Sequence, residues 1–422
     1  MNKANKYKRW LIIPSSTFCD NVDNKCILLY NTTNGRYVTS GDPKFINLIN
    51  LLFEPKNHGC IVYETIQGTE YYPIISKALK IEVLQIVNAN ERPFILLPIY
   101  NLQRDLEKNL EVGIDKRMSL IEKKLRFLTG INIWLIPLSY TDSDRDKIAY
   151  RNYYYRQHCT PIYENNCRSC FLGNDFLKKV LDELQYSGVS NVNLILGKDL
   201  FNTITPNSFL EILCQYNFSY TISCFYEDLH SIFNKLEEFA TKRIRYQSYV
   251  DKYNINNYIN YSKKYSLKNT SLYYLVSCED ELNAVDENTL MLLPVMTEDN
   301  VLFFKKNVLM TIDDIKDHIL QHEHIFRNMK LNSNFFGILD IDFTGKITAH
   351  GSNYVLGNLM NGSTLLQATY KELKDNHTWR LTRKLTSCNT CPFRFICPPI
   401  SCWEVDGALN SDCEIKNKLG VV

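Results

Sequence analysis

Cysteines near the C-terminal end are the residues whose types and spacing most clearly predict chemistry. Five of the 14 cysteines lie between Cys388 and Cys413, and the first two of these are separated by only two residues. Two thiolates at that spacing can bind one metal from a single tight turn, and further thiolates then complete the coordination. The spacing alone leaves Zn²⁺, an iron–sulfur cluster and unliganded buried thiols as open interpretations. The series is Cys388, Cys391, Cys397, Cys402 and Cys413.

A second group of cysteines lies in the middle of the chain. Cys167 and Cys170 are also separated by two residues, and Cys159 precedes them by a longer gap. One interpretation is a metal-binding loop of unusual spacing, and the other is a loop with incidental thiols. We favour incidental thiols, because the longer gap belongs to no standard metal-binding pattern.

The composition excludes several classes of function. Lys and Arg number 48 against 46 Asp and Glu, which leaves a net charge of +2. Such a balanced chain has no overall electrostatic signature of a nucleic-acid or anionic-membrane partner. No apolar run reaches the roughly 18–20 residues that a transmembrane helix needs. We therefore expect a cytoplasmic globular protein, in which clustered cysteines favour metal binding over disulfides.

The elements that must position these cysteines fall into three predicted segments. Residues 1–125 predict a small α+β, winged-helix-like domain. Its strands include Cys26–Tyr30 and Gly35–Thr39, joined by a turn at Asn34-Gly35 that is typical of hairpins. A helix is predicted over Pro43–Phe53, because its apolar residues recur at helical spacing and Pro43 suits a first turn.

Residues 126–334 alternate between predicted strands and helices. This alternation predicts an α/β fold with a parallel sheet, either doubly wound or an open (β/α) barrel of about five or six units. Near its end we expect a strand at Leu302–Phe304 and one helix over Thr311–Arg327. Residues 335–422 then predict a hairpin formed by Phe336–Asp342 and Lys346–Ala349, a helix and the cysteine-rich tail.

The cysteine-rich tail resembles the SPASM region of peptide-modifying radical SAM proteins. The resemblance lies in the C-x2-C-x5-C series and its last cysteine, with Gly345–His350 and Leu356–Leu359 as the preceding hairpin and turn. It implies one auxiliary 4Fe–4S cluster. The ligands that it implies are Cys388, Cys391, Cys397 and Cys413. In the full pattern Cys402 would reach a second cluster, but His350 stands where that pattern has a cysteine, so Cys402 is expected to be a structural thiol.

The motif that binds SAM in active members departs from the family pattern at two places. Active members have C-x3-C-x2-C, and Tyr163 stands at the first position before Cys167 and Cys170. The glycine-rich SAM motif is also altered, because Gly197-Lys198-Asp199 stands in place of Gly-Gly-Glu. Both departures favour a protein that no longer performs SAM chemistry. The alternative is an active enzyme with a non-standard cluster on Cys159, Cys167 and Cys170.

Over most of its length the chain resembles the pseudo-radical-SAM proteins of Bacteroidales GG-type ribosomal peptide systems. The resemblance is carried by residues 28–35, 369–385 and 388–404, with Cys402 as a departure. It implies a non-catalytic partner of an active radical SAM maturase that also binds the precursor peptide. The N-terminal domain resembles a precursor-peptide recognition element, with the binding edge in Cys26–Thr39 beside the helix Pro43–Phe53. A zinc-stabilised peptide-binding scaffold is the remaining alternative.

Overall fold

A computed structural model describes the N-terminal region, the strands of a central sheet and nearly all of the C-terminal region. The described residues are 8–66, 72–95, 127–135, 174–196, 206–226, 243–250, 252–253, 255–257, 270–283, 291–296, 299–405, 413 and 415. Over these ranges, no helix combines the length and the apolar character needed to cross a membrane.

Two small antiparallel sheets and two helices form the N-terminal region. In spatial order, the first sheet contains β5 (Cys60–Val62), β1 (Lys8–Ile12) and β6 (Gln85–Ala89). The second contains β2 (Thr17–Val22), β3 (Cys26–Asn31) and β4 (Tyr37–Ser40). The helices are α1 (Pro43–Phe53) and α2 (Tyr72–Lys80).

Helix α1 begins and ends where the sequence predicts. Asp42 caps it by accepting a hydrogen bond from the Lys44 backbone N–H at 2.9 Å, and Pro43 is its first residue. Its apolar face is buried against the inner faces of β3 and β4, in a core that includes Leu29 and Val38. The predicted hairpin is also confirmed, because β3 and β4 pair antiparallel and Gly35 takes a φ of +72° in the turn.

A nine-stranded sheet forms the centre of the molecule and confirms the predicted α/β class. Its spatial order is β12–β11–β10–β9–β8–β7–β13–β14–β15. The strands are β7 (Gly130–Leu135), β8 (Asn191–Leu196), β9 (Ser219–Phe225), β10 (Ile244–Val250), β11 (Thr270–Val276), β12 (Met291–Pro294), β13 (Ile338–Ile341), β14 (Lys346–Ala349) and β15 (Val355–Asn358). Strands β7 to β13 are parallel, whereas β14 and β15 pair antiparallel, as predicted for the hairpin.

The two faces of this sheet differ in character. Alternate residues of β7, β8 and β9 are apolar and pack in one core with three helices. These helices are α3 (Asn174–Leu184), α4 (Pro206–Gln215) and α9 (Leu365–Asp375). The residues between them face the opposite side and include a row of polar side chains. The remaining α-helices with described bounds are α5 (Glu279–Asn283), α6 (Val301–Asn307), α7 (Ile312–Asp317), α8 (His322–Lys330) and α10 (Cys402–Val405). Short 3₁₀ turns lie at Tyr63–Thr65, Leu359–Asn361, Arg383–Leu385 and Ser387–Thr390.

Two predicted elements before the hairpin are wrong. Leu302–Phe304 lies inside helix α6, where Phe304 is buried and packs edge-to-face against Trp403. A short apolar run does not by itself distinguish a strand from a buried helical turn.

The helix predicted over Thr311–Arg327 is interrupted between α7 and α8. The Tyr30 hydroxyl donates to the His318 carbonyl at 3.1 Å and accepts from the Leu320 N–H at 2.9 Å. This side chain from β3 therefore satisfies backbone groups that would otherwise bond within a continuous helix.

The outer face of the β2–β3–β4 sheet packs on the C-terminal region. Phe18 and Tyr30 share an apolar cluster with Ile325 of α8 and with Phe393 and Phe395 of the cysteine-rich tail. Phe18 also meets Phe326 edge-to-face, with ring centroids 5.9 Å apart. The sheet is therefore buried on both faces, with α1 on one side and the cysteine-rich tail on the other.

Candidate metal centre

A succession of tight turns shapes the segment that carries the first three cysteines. Ser387–Thr390 forms a 3₁₀ turn, which the Thr386 hydroxyl caps by accepting from the Cys388 N–H at 3.2 Å. The Cys391 N–H then donates to the Cys388 carbonyl at 3.0 Å, and the Cys397 N–H donates to the Phe393 carbonyl at 2.8 Å. The chain thereby folds back on itself twice within ten residues, and the C-x2-C pair lies on one turn.

The structure brings the four predicted cysteines into one neighbourhood. Cys391, Cys397 and Cys413 belong to the same apolar cluster, and none of the four cysteines forms a disulfide. Cys391 is buried, and the other three are partly buried. Cys388, Cys391 and Cys413 all act electrostatically on Cys397. Thiolates are the donors that zinc and iron–sulfur clusters use, which makes this neighbourhood the candidate metal centre.

Burial determines the protonation state of Cys397 when no metal is bound. It raises the pKa of Cys397 to about 12, against the opposing effect of the Arg383 guanidinium. The three neighbouring cysteines raise that pKa further, because adjacent thiolates repel one another. The Cys397 thiol is therefore protonated at neutral pH, and its binding to a metal would release a proton.

A buried arginine lies beside two of the four thiols. The Nη1 atom of Arg383 is 3.8 Å from the Cys388 sulfur, and the charge of Arg383 also acts on Cys397. Glu404 of α10 binds both terminal nitrogens of this guanidinium, at 2.7 and 3.2 Å. No motif in the sequence indicates this pair.

A second buried arginine joins the C-x2-C turn to the N-terminal region. Arg394 donates two hydrogen bonds to Asp20 of β2, at 2.9 and 3.0 Å, and a third to the Asn389 carbonyl inside the turn. Burial raises the pKa of Asp20 despite the opposing charge of Arg394. Burying the Asp20–Arg394 ion pair costs desolvation energy that offsets much of its attraction. The pair therefore adds little net stability, and its main effect is to fix how the tail packs on β2.

Cys402 lies apart from the four thiols, in the core beneath the sheet. It begins α10 and packs in the apolar cluster formed by the central strands. Cys402 acts electrostatically on His350, the residue that stands at the cysteine position of the SPASM pattern that the tail resembles. His350 in turn binds Asp340, with 2.9 Å between Nδ1 and Oδ2.

The His350–Asp340 pair begins a row of polar side chains across the sheet. Asn132 donates to Asp340 at 2.6 Å, and Asn193 donates to Asn132 at 2.8 Å. Asp340, Asn132 and Asn193 are registered neighbours on β13, β7 and β8. Polar residues that alternate with apolar ones in these strands are the sequence signal for this row, and the sequence analysis missed it.

Burial lowers the pKa of His350, but the charge and hydrogen bond of Asp340 outweigh it and raise the pKa above its ordinary value. His350 and Asp340 are both buried in the row. The pair is therefore satisfied by the protein's own hydrogen bonds.

The second group of cysteines, Cys159, Cys167 and Cys170, lies outside the described residues, as do Tyr163 and residues 197–199. In the part of the chain that the structure describes, no three side chains of His, Cys, Asp or Glu form a group ready to bind a metal ion. The four tail thiols would therefore have to adjust their positions on binding one. No protein-family model matches the chain, and no curated protein has significant similarity to it.

Proposed function

We propose that this protein is a non-catalytic, radical-SAM-like partner in the maturation of a ribosomal peptide, and that it carries one 4Fe–4S cluster. The observation that carries the proposal is the convergence of Cys388, Cys391, Cys397 and Cys413 around one electrostatic neighbourhood. These four would bind the cluster, which would serve as a structural anchor or as an electron relay to the maturase.

The strand order supports a partial (β/α) barrel as the scaffold. Strands β7 to β12 follow one another across the sheet in chain order, and β13 returns to pair in parallel with β7 on its other side. Helices α3 and α4 cover the same face of these strands. Progressive winding with helices on one face is the arrangement of a barrel segment.

The N-terminal region supports the proposed recognition of a precursor peptide. Strand β4 lies at one edge of its sheet, where an extended peptide can add as a further strand. Helix α1 packs on the inner face of β3 and β4, and α2 also contacts β4, so both helices would lie near a peptide added at that edge. Main-chain hydrogen bonds would then supply affinity, and side-chain pockets beside the edge would supply selectivity.

The proposed cytoplasmic location agrees with the state of the cysteines. None of the eleven cysteines in the described part of the chain forms a disulfide. Reducing compartments keep thiols in that state, whereas disulfides persist in oxidising ones.

The metal content of protein purified and reconstituted without oxygen tests the proposal. We expect about four iron and about four sulfide per chain, lost in the variant Cys388→Ala/Cys391→Ala. Cys214→Ser is the matched control, because Cys214 is exposed on α4 and its removal leaves the four thiols intact.

Two results would contradict the proposal in different ways. About eight iron and eight sulfide, half of which survive in the double variant, would indicate a second cluster on Cys159, Cys167 and Cys170 and therefore an active enzyme. One zinc per chain with no sulfide would instead indicate a zinc-stabilised scaffold.

A further inference from the structure

The guanidinium of Arg383 places a cation beside the cysteine centre. Its Nη1 is 3.8 Å from the Cys388 sulfur, and its side chain is only 13% exposed. A guanidinium has five N–H donors in a rigid fork and carries its charge at every physiological pH. Arg383 therefore brings a permanent, poorly solvated positive charge to the thiols.

Two protein groups orient this guanidinium. Its Nε donates to the Pro398 carbonyl at 2.6 Å, and its two terminal nitrogens donate to the carboxylate of Glu404. The Glu404 carboxylate is itself oriented by the backbone N–H of Ser401 at 2.9 Å and by the Ser401 hydroxyl at 3.0 Å. The charge consequently has one position relative to Cys388, rather than the several positions of a flexible surface arginine.

The backbone around Arg383 is continuous with the C-x2-C turn. The Arg383 carbonyl accepts from the Thr386 hydroxyl at 2.9 Å, and the same hydroxyl accepts from the Cys388 N–H. Arg383 and Cys388 are therefore connected both through their side chains and through this capping residue. A displacement of one would displace the other.

The geometry points to Arg383 as a positioning residue of the cysteine centre, which orients the Cys388 thiolate and raises the reduction potential of a cluster bound there. This inference rests on the proposed function. A 4Fe–4S cluster with four thiolate ligands gains one negative charge on reduction, and a nearby cation stabilises the more negative state. Net charge and hydrogen bonds to the cysteine sulfurs are among the main determinants of such potentials. Glu404 opposes the effect through its own charge, and it also orients the guanidinium through hydrogen bonds that the side-chain oxygen of a glutamine could in part still accept.

Arg383→Gln tests the inference in the reconstituted full-length protein. We expect the midpoint potential to shift to more negative values, measured by dithionite titration with electron paramagnetic resonance detection. Iron loss to an added chelator should become several-fold faster, because Cys388 loses its oriented neighbour. Arg383→Lys should restore part of the shift in midpoint potential but little of the iron retention, because an ammonium group cannot reproduce the planar, multiply hydrogen-bonded guanidinium.

Two further variants keep the result interpretable. Arg380→Gln is the matched control, because the Arg380 guanidinium binds the Leu373 carbonyl of α9 and its removal should leave the potential unchanged. Glu404→Gln retains Arg383 and removes the opposing charge, so its potential should shift to more positive values. If Arg383→Gln does not fold, Glu404→Gln still tests whether charges at this position change the midpoint potential.

The failure of this inference differs from that of the proposed function. If the wild-type protein binds no iron and sulfide, the proposed function is wrong, and so is the role of Arg383 that depends on it. If the wild-type protein binds a full cluster while Arg383→Gln and Glu404→Gln both retain its potential and iron retention, only the role of Arg383 is overturned.

Discussion

The cysteine centre and the polar row across the sheet are two buried polar sites that are satisfied in different ways. In the polar row, Asp340 receives hydrogen bonds from Asn132 and His350, so donors and acceptors within the protein satisfy one another. In the cysteine centre, four thiols converge, and burial together with their mutual repulsion opposes ionisation of Cys397. The first site is complete without a ligand, whereas the second is the one for which we propose a bound cluster.

The difference is informative because the SPASM pattern that the tail resembles has a cysteine at the position of His350. A histidine there forms an ion pair with Asp340 instead of offering a thiolate to a metal. The polar row is therefore part of the structural core, while the four tail thiols are the donors of the proposed cluster. The comparison predicts that metal removal and loss of the His350–Asp340 pair have separable consequences.

Metal removal should give the largest effect, and it should be local. A metal that binds only the folded state, at a free concentration 1,000 times its Kd, stabilises that state by about 4 kcal/mol. Because Arg394 binds both the Asn389 carbonyl and Asp20, we expect the loss to extend from residues 386–397 into β2 and β3. Hydrogen exchange should accelerate there on chelation.

Strands β7 and β8 serve as the internal control for that measurement, because the polar row between them contains no metal donor set. Equal acceleration in β7, β8 and the cysteine-rich tail would contradict the separation of the two sites. No change in the tail would show that its fold does not depend on a metal.

Loss of the Asp340 carboxylate should give the next largest effect. Asp340→Ala leaves His350 without its buried partner, and breaking such a pair costs about 3 kcal/mol. Urea unfolding should report this loss, while iron and sulfide content should stay at the wild-type value. A fall in metal content would show that the polar row and the cysteine centre are coupled.

The elements that the sequence predicted well are those whose causes lie close together in the chain. Helix α1 has its cap at Asp42 and its apolar face within eleven residues, and the turn after β3 carries its own glycine. The C-x2-C turn is equally local, because the Thr386 hydroxyl and the backbone of Cys391 are enough to shape it. Local propensity and spacing therefore carried the prediction of these parts.

The features that the sequence did not reveal depend on residues distant in the chain. Asp20 of strand β2 is buried beside Arg394, which binds its carboxylate and lies 374 residues later in the sequence. The break between α7 and α8 depends on the Tyr30 hydroxyl, and the cation of the cysteine centre depends on Glu404. No local pattern encodes such partners, because each becomes recognisable only when the fold brings it close.

The pH dependence of stability should distinguish the two sites further. The pKa of His350 is raised in the folded protein, so its contribution is fully present below its unfolded pKa of about 6.5 and is lost as the pH rises through the folded value. The free energy of unfolding should fall by up to about 1.4 kcal/mol per pH unit across that window. Urea unfolding between pH 6 and pH 8 measures the slope.

The matched comparison for this slope is His350→Gln. In this variant the fall in the free energy of unfolding between pH 6 and pH 8 should disappear, whatever the variant's overall stability. Retention of the wild-type slope in His350→Gln would assign the pH dependence to another group.

The smallest predicted effect concerns the contact between the edge strand β4 and the cysteine-rich tail. Tyr37 meets Phe393 edge-to-face with ring centroids 4.8 Å apart, a geometry that contributes about 1 kcal/mol beyond burial. A double-mutant cycle of Tyr37→Leu and Phe393→Leu should recover a coupling free energy of that size in the metal-loaded protein. In the metal-free protein the coupling should shrink, because Phe393 directly follows the C-x2-C turn and Pro392. An undiminished coupling would show that β4, the proposed peptide-binding edge, is docked independently of the metal, and the two sites would then be energetically separate.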